Sequence, residues 1–168
     1  RRYDIPIYAN QNTWINMKKV VGEIKEKNIK IIESDSDFQL GDLDIHSFKI
    51  FHDAAEPVGY CIYHKNVKIS IITDTGWVNN NIKRIIKGSS LYLMESNHDV
   101  KMLKEGKYPW HLKNRILSPK GHLSNLDAGR TLCETLEGNG EIVLLAHLSK
   151  ENNTPSVAYE GVLFSLLK

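Results

Sequence analysis

Cysteine is scarce in this sequence: Cys61 and Cys133 are the two among 168 residues, and they lie far apart along the chain. Such a pair makes no disulfide framework, so two buried thiols in a reducing compartment are the default expectation. Long apolar runs are missing as well, and none approaches the roughly 20 residues that a bilayer span needs. The sequence therefore predicts neither a disulfide-stapled secreted domain nor a membrane protein.

An excess of charge of one sign is also missing. Lys and Arg total 22 and Asp and Glu total 20, which gives a formal net charge of +2. Any contact with nucleic acid must therefore come from a local basic patch. An initiator Met and an apolar leader are absent from the start, where the sequence reads Arg1, Arg2 and Tyr3. We expect either a chain that was cut or a protein of which this sequence is one part.

What is present is ordinary globular composition, 41% hydrophobic and 25% charged, at the length of one domain. Apolar runs predict strands that alternate with amphipathic helices, and residues 58–73 predict a hairpin with a tight turn at Lys65 and Asn66. Thr13 is expected to cap the first helix, and residues 35–39 are expected to form a polar turn. The inward stripe of that helix is predicted to comprise Trp14, Met17, Val20, Val21 and Ile24. This alternation indicates a layered α/β fold with a mixed sheet.

Polar clusters follow four of the predicted strands, and most of them contain histidine. They are His52–Asp53, Asp74–Thr75–Gly76, Glu95 to Asp99, and His147–Leu148–Ser149. Functional loops gather at the carboxyl ends of strands in layered α/β folds, so the four clusters predict one shared site. Imidazole and carboxylate suit Zn²⁺ or Mn²⁺, and one Asp can bridge two ions that activate water against a phosphoryl group.

Plainer interpretations remain open beside this one. A single histidine at a strand end is more often a hydrogen-bonded structural residue than a ligand, and we assign that role to His46, His64 and His111. Residues 74–76 alone read as an ordinary turn. Residues 121–125 alone read as a loop that ends in a helix cap.

Six runs together resemble a known family. They are HDAAEPVGY at 52–60, ITDTG at 72–76, ESNHD at 95–99, YPW at 108–110 with RILS at 115–118, GHLSN at 121–125, and LAHLS at 145–149. This ordered set is similar to the YycJ (WalJ) branch of the metallo-β-lactamase-fold hydrolases, bacterial cytoplasmic enzymes related to ribonuclease Z and to the phosphodiesterase PhnP. The resemblance implies an αβ/βα sandwich of two mixed sheets flanked by helices, with residues 1–168 forming a partial single domain.

The resemblance also implies roles for individual residues. His52 and His147 would each bind one of two divalent ions, Zn or Mn, and Asp74 would bridge both. His122 would stabilise the scissile phosphate or protonate the leaving oxygen, with Glu95 holding its imidazole. Substrate contacts are expected from Asn97, His98, Ser124, Asn125 and Arg115. Lys113 and Lys120 would add backbone contacts, Tyr108 would stack on a base, and Trp110 would stack or form a plug beneath the site.

One family motif, His-x-His-x-Asp-His, is absent, and we expect it to precede Arg1 in the complete domain. The implied function is a cytoplasmic, metal-dependent phosphodiester hydrolase. It is expected to be a DNA exonuclease working from the 5′ end, in which a metal-bound hydroxide attacks phosphorus. Two alternatives are a hydrolase of small phosphodiesters or lactones on the same metals, and an inactive fragment or accessory module that lacks the missing ligands. No membrane partner is expected.

Overall fold

A six-stranded mixed sheet forms the centre of the molecule. The computed structural model describes residues 3–168, so Arg1 and Arg2, which the sequence places just after the absent motif, lie outside the described residues. The strands of this sheet, in spatial order, are β3 (Ser36–Leu40), β4 (Leu43–Lys49), β5 (Val58–His64), β6 (Val67–Ile72), β7 (Leu91–Glu95) and β8 (Ile142–Ala146). Neighbours from β3 to β6 are antiparallel, whereas β6, β7 and β8 run parallel.

The directions of these strands decide where the polar clusters meet. Because β5 is antiparallel to both β4 and β6, β4 and β6 point the same way, and β7 and β8 point with them. The carboxyl ends of all four strands therefore lie along one edge of the sheet. These are the four strands that the polar clusters follow in the sequence.

A smaller sheet lies at the start of the chain and differs from the predicted second mixed sheet. It consists of two parallel strands, β1 (Ile7–Asn10) and β2 (Ile29–Ile32), joined through helix α1 (Gln11–Val21) and a short 3₁₀ turn at Glu26–Asn28. Asn10, rather than Thr13, caps α1, because its side chain accepts the amide hydrogen of Thr13. The predicted inward stripe of α1 is also wrong: no residue of this helix is buried.

The predicted polar turn at residues 35–39 is wrong as well, because residues 36–40 form strand β3. Its pairing with β4 brings Asp37 opposite His46, and these two side chains are 2.7 Å apart. β3 is the edge strand of this sheet in the described residues, and three of its five residues are exposed, so its polar side chains need no buried partner. A polar sequence of this kind therefore gives no hydrophobic signal of a strand.

Five helices follow α1: α2 (Asn80–Ile86), α3 (Val100–Glu105), α4 (Trp110–Leu117), α5 (Asn125–Thr135) and α6 (Pro155–Leu166). The core lies between the large sheet and helices α2, α5 and α6, and its largest buried side chains include Phe48, Ile72, Tyr92, Met94 and Leu132. Cys61 is buried there, but Cys133 is exposed, contrary to prediction. Between residues 3 and 168, no helix is both long and apolar enough to cross a bilayer.

Candidate metal centre

The shared edge of the large sheet brings His52, Asp74, His122 and His147 together. Asp74 and His147 both have left-handed backbone conformations, with φ of 56° and 57°. Residues with a side-chain Cβ adopt this region at a cost, and such positions concentrate at functional sites. Each turn lies directly after a strand that the core holds in place, so the sheet supplies the support for the strained residue.

Each of two histidines presents a free nitrogen to Asp74. His52 Nδ1 lies 3.0 Å from the carbonyl oxygen of Gly121, so Nδ1 carries the hydrogen and Nε2 keeps its lone pair. His147 Nδ1 lies 2.8 Å from Glu95 Oε1, which fixes the same tautomer. Asp74 Oδ1 then lies 3.8 Å from His52 Nε2 and 3.3 Å from His147 Nε2. Partners of this kind orient histidine ligands at metal sites.

Glu95 is the buried anion beneath this cluster. Its Oε1 accepts hydrogen bonds from the Nδ1 atoms of His122 and His147, each at 2.8 Å, and its Oε2 accepts the amide hydrogen of Thr75 at 2.7 Å. Burial opposes its ionisation, but these bonds outweigh burial and hold the pKa of Glu95 below its usual range. The hydrogen bond between Glu95 and His147 raises the pKa of His147, and the opposing effect of burial is smaller.

These residues fit divalent metal ions. Two ligands of a tetrahedral zinc ion, each about 2.1 Å from it, lie about 3.4 Å apart. The two distances from Asp74 Oδ1 to the histidine Nε2 atoms, 3.3 and 3.8 Å, are close to this value. Metal-compatible groups in the described chain are His52 with Asp74 and His122, and Glu95 with His122 and His147. Neutral imidazole and carboxylate are the donors that zinc and manganese accept.

His122 occupies the middle of the cluster. Its ring centroid lies 5.0 Å from that of His52 and 5.1 Å from that of His147. Its Nδ1 pairs with Glu95 and lies 4.0 Å from Asp74 Oδ1. The pairing with Glu95 that the sequence predicted is thus present, while the catalytic role of His122 stays a prediction.

Gly121 makes the position of both His52 and His122 possible. A Cβ atom there would lie 2.2 Å from the carbonyl oxygens of Arg115 and Ile116, inside their van der Waals radii. The backbone of residues 118–122 could not then pack against the end of α4, where the His122 amide donates to Ile116.

We therefore expect Gly121→Ala to lower the free energy of unfolding by about 2 kcal/mol, as a clash with backbone does elsewhere. Thermal denaturation measures the loss. Lys120→Ala is the control, because Lys120 is the exposed residue next to Gly121, and its truncation places no atom against the backbone. Equal losses in the two variants would contradict the packing argument.

Three predicted substrate contacts, Asn97, Ser124 and Asn125, are buried in the structure, and their contact with substrate stays a prediction. The Asn97 amide donates to the carbonyl of His147 at 2.8 Å, and Ser124 caps helix α5 through the amide of Asp127. Asn125 is buried, and its Oδ1 accepts from Ser96 at 2.6 Å and from Asn153 at 2.8 Å. These hydrogen bonds hold the loops around the site in place.

His98 is also internal, although the sequence placed it on the substrate side. It is 1% exposed, and neither ring nitrogen has a hydrogen-bond partner among the described residues. Burial, reinforced by the nearby His122, lowers the pKa of His98 to about 4. The ring is therefore held neutral inside the protein.

This burial predicts a pH dependence of stability. In the unfolded chain His98 binds a proton near pH 6.5, and in the folded chain only near pH 4, so the unfolded state gains protons first as pH falls. The stabilisation is complete above pH 6.5 and is lost by pH 4, a difference of about 3 kcal/mol. Chemical denaturation measures the free energy of unfolding of wild type and of His98→Leu. As pH falls from 6.5 to 4, the wild type should lose stability relative to His98→Leu. The exposed His111→Gln serves as the control, and parallel curves for wild type and His98→Leu would refute the prediction.

The remaining predicted contacts divide between exposed and internal groups. Arg115 is 51% exposed and pairs with Asp53. Lys113 is buried and donates to the carbonyl of Lys104 at 2.7 Å, so its predicted contact with nucleic acid is wrong. Trp110 is 70% exposed, which excludes the buried plug. His46 pairs with Asp37, and His64 Nδ1 lies 3.1 Å from the carbonyl of Asp42; both contacts agree with structural roles.

Two residues at this edge had no individual role in the sequence analysis, although Asp53 belonged to one of its four clusters. Asp53 lies 3.4 Å from His52 Nε2, and its signal was its position directly after that histidine. Trp77, three residues after Asp74, is 55% exposed, and its carbonyl accepts the Thr75 hydroxyl at 2.9 Å. The available signal for Trp77 was its place in the same loop as Asp74, a candidate ligand.

No protein-family profile matches the chain. It is 43% identical over 163 residues to exodeoxyribonuclease YycJ of Bacillus anthracis, covering 96% of this chain and 61% of that protein. It is 39% identical over 161 residues to exodeoxyribonuclease WalJ of Streptococcus pneumoniae serotype 2, covering 95% of this chain and 60% of that protein. The chain thus spans about 60% of the length of the curated relatives it matches.

Solved structures share the fold at lower identity. The metallo-β-lactamase fold protein YhfI from Bacillus subtilis superposes with a TM-score of 0.70 at 19% identity, covering 95% of this chain and 58% of that one. Zn²⁺-bound PqqB from Methylobacterium extorquens gives 0.64 at 17% identity, covering 98% of this chain and 60% of that one. The predicted fold is confirmed: the chain has the metallo-β-lactamase fold, and the YycJ and WalJ exodeoxyribonucleases are its homologues.

Proposed function

We propose that this chain, with its metallo-β-lactamase fold and its homology to YycJ and WalJ, carries part of the active site of a metal-dependent DNA exonuclease. One observation supports this most strongly. His52 and His147 both turn Nε2 toward the same oxygen of Asp74, and each has its Nδ1 occupied by an acceptor. This is the arrangement that metal ligation by a neutral histidine requires.

His52 and His147 would hold one ion each, and Asp74 would serve both, because its Oδ1 lies 3.8 and 3.3 Å from the two Nε2 atoms. The complete site is proposed to hold two divalent ions, zinc or manganese. Such ions supply Lewis acidity toward water and toward the oxygens of a phosphodiester. The protein's own part is to fix the ligands, through Gly121 for His52 and through Glu95 for His147.

His122 is proposed to supply the proton for the leaving oxygen. Its Nδ1 is bonded to the buried Glu95 carboxylate, so Nε2 is the atom that can hold and deliver a proton. The hydrogen bond to Glu95 fixes the orientation of the His122 ring for this step. Glu95 itself keeps no proton, since its hydrogen bonds favour the ionised form.

DNA is the proposed substrate, and the curated relatives are exodeoxyribonucleases by name. The candidate ligands are accessible in the described chain, because the side chains of Asp74 and His147 are 46% and 41% exposed. Arg115 offers a cation for the backbone, and the exposed Trp77 and Trp110 offer faces on which bases can stack. A 5′ direction of digestion is proposed with it.

The test uses the protein at its full natural length, with DNA labelled at the 5′ or the 3′ end and with added Mn²⁺ or Zn²⁺. The proposal predicts metal-dependent release of the 5′ label first, as short products. Earlier release of the 3′ label would overturn the direction alone. If DNA stays intact while a small phosphodiester or a lactone is cleaved, that compound and not DNA is the substrate. If none of these is hydrolysed, the protein is an accessory module.

A further inference from the structure

Arg115 and Asp53 form a two-point contact beside the metal centre. Arg115 stands in the last turn of α4, and Asp53 follows His52, 62 positions earlier. Arg115 donates through Nε to Asp53 Oδ2 and through Nη2 to Oδ1, the latter at 2.9 Å. Paired contacts of this kind fix the plane of the guanidinium group as well as its distance.

The contact lies directly against a candidate ligand. Asp53 Oδ1, which accepts from Arg115, is also 3.4 Å from His52 Nε2. That nitrogen is the one that faces Asp74. A single side chain, that of Asp53, therefore separates the guanidinium group from the candidate ligand His52. The other N–H groups of Arg115 remain available to a further acceptor.

Stability alone gives little reason for this pair. Arg115 is half exposed and Asp53 about a third exposed, and ion pairs with such exposure contribute modestly to folding, even though a two-point Arg–carboxylate contact is among the stronger of them. A lysine would provide the same charge, but it has no planar fork with which to contact a carboxylate and a phosphate together. The geometry is suited to aiming a cation at a fixed place.

We propose that Asp53 is a positioning residue that holds the Arg115 guanidinium over the metal centre, where it binds a non-bridging oxygen of the substrate phosphodiester. This inference rests on the proposed phosphodiester hydrolysis and deepens it. Asp53 acts through Arg115, and Arg115 touches the substrate. Arg115 likewise keeps the Asp53 carboxylate engaged beside His52.

The experiment compares Asp53→Asn, Arg115→Lys and Arg115→Ala in the full-length protein. Arg130→Ala is the matched control, because Arg130 pairs with Asp127 at 2.9 Å on helix α5 and is likewise exposed. KM, kcat and bound metal are measured on DNA and on bis(4-nitrophenyl) phosphate, a small phosphodiester. The salt dependence of DNA binding is measured in parallel.

All three variants are expected to raise KM about tenfold on both substrates, because each loses one charge-assisted contact. Bound metal should be unchanged. Arg115→Ala should also reduce the slope of log affinity against log salt by about 1. Arg130→Ala should behave as wild type.

Two outcomes would overturn the proposal. Loss of bound metal in Asp53→Asn with unchanged KM would make Asp53 a ligand or a support of His52. Unchanged KM on both substrates, or an equal rise in KM in Arg130→Ala, would mean that the Arg115–Asp53 pair is a surface contact without a role in substrate binding. Intact DNA in wild type with the expected KM shift on the small phosphodiester would refute DNA as substrate while supporting the positioning role.

Discussion

Asp74→Ala is expected to lower metal-dependent cleavage by the full-length protein about a thousandfold. A bridging carboxylate contributes several kcal/mol to holding two ions, and each 1.36 kcal/mol corresponds to tenfold in rate. Asp74 Oδ1 is within 4.0 Å of atoms from His52, His122 and His147, so no other carboxylate in the described chain has the same set of neighbours. Steady-state rates at saturating metal measure the effect.

Two further variants sharpen this prediction. Asp74→Asn keeps the shape and removes the charge, and it should lose nearly as much activity because a neutral amide is a weaker ligand. Asp42→Ala changes an exposed carboxylate in the β3–β4 turn, at the opposite edge of the sheet, and should leave the rate unchanged. Activity in Asp74→Ala within tenfold of wild type would contradict the bridging role.

Glu95→Ala is expected to destabilise the fold and the metal site together. The substitution removes the acceptor of three hydrogen bonds and leaves His122, His147 and the Thr75 amide without their partner. Breaking a buried ionic group of this kind costs about 3–5 kcal/mol, and loss of a residue that supports a ligand weakens metal affinity about 10–100-fold. Denaturant unfolding and metal titration measure the two effects separately.

Glu95→Gln tests the charge apart from the shape. Its amide oxygen can still accept from the histidines, but its NH₂ group would then face the Thr75 amide, donor against donor. We expect a smaller loss of stability than in Glu95→Ala. Glu134→Ala, which removes an exposed carboxylate paired with Lys83, is the surface control. A Glu95→Ala protein as stable as that control would refute the role of Glu95 as the anchor of the site.

The sequence predicted which residues gather at one edge of the sheet, because the signals for their placement are local. His52, Asp74, Glu95 and His147 each follow an apolar run that forms a strand, and three of those runs form parallel neighbours. The tight turn at Lys65 and Asn66 predicted the antiparallel pair β5 and β6. From such features the shared edge could be anticipated before any coordinates were known.

What the sequence missed depends on contacts between distant residues. The strand β3 is polar because it lies at the edge of the sheet, and its pairing with β4 has no hydrophobic signature. His98 is buried in the loop after β7, and Lys113 is buried on α4, where it donates to the carbonyl of Lys104 in α3; their polar side chains alone indicate exposure. The Arg115–Asp53 contact joins the last turn of α4 to the loop after β4, and only the folded chain brings these two segments together.

Metal stoichiometry tests the central claim most directly. Elemental analysis of the full-length protein, purified beside His52→Ala and His147→Ala, counts the ions bound per chain. We expect about two divalent ions per chain in wild type and the loss of at least one in each variant. Undiminished metal in both variants, at unchanged stability, would contradict the assignment of this sheet edge as the metal centre.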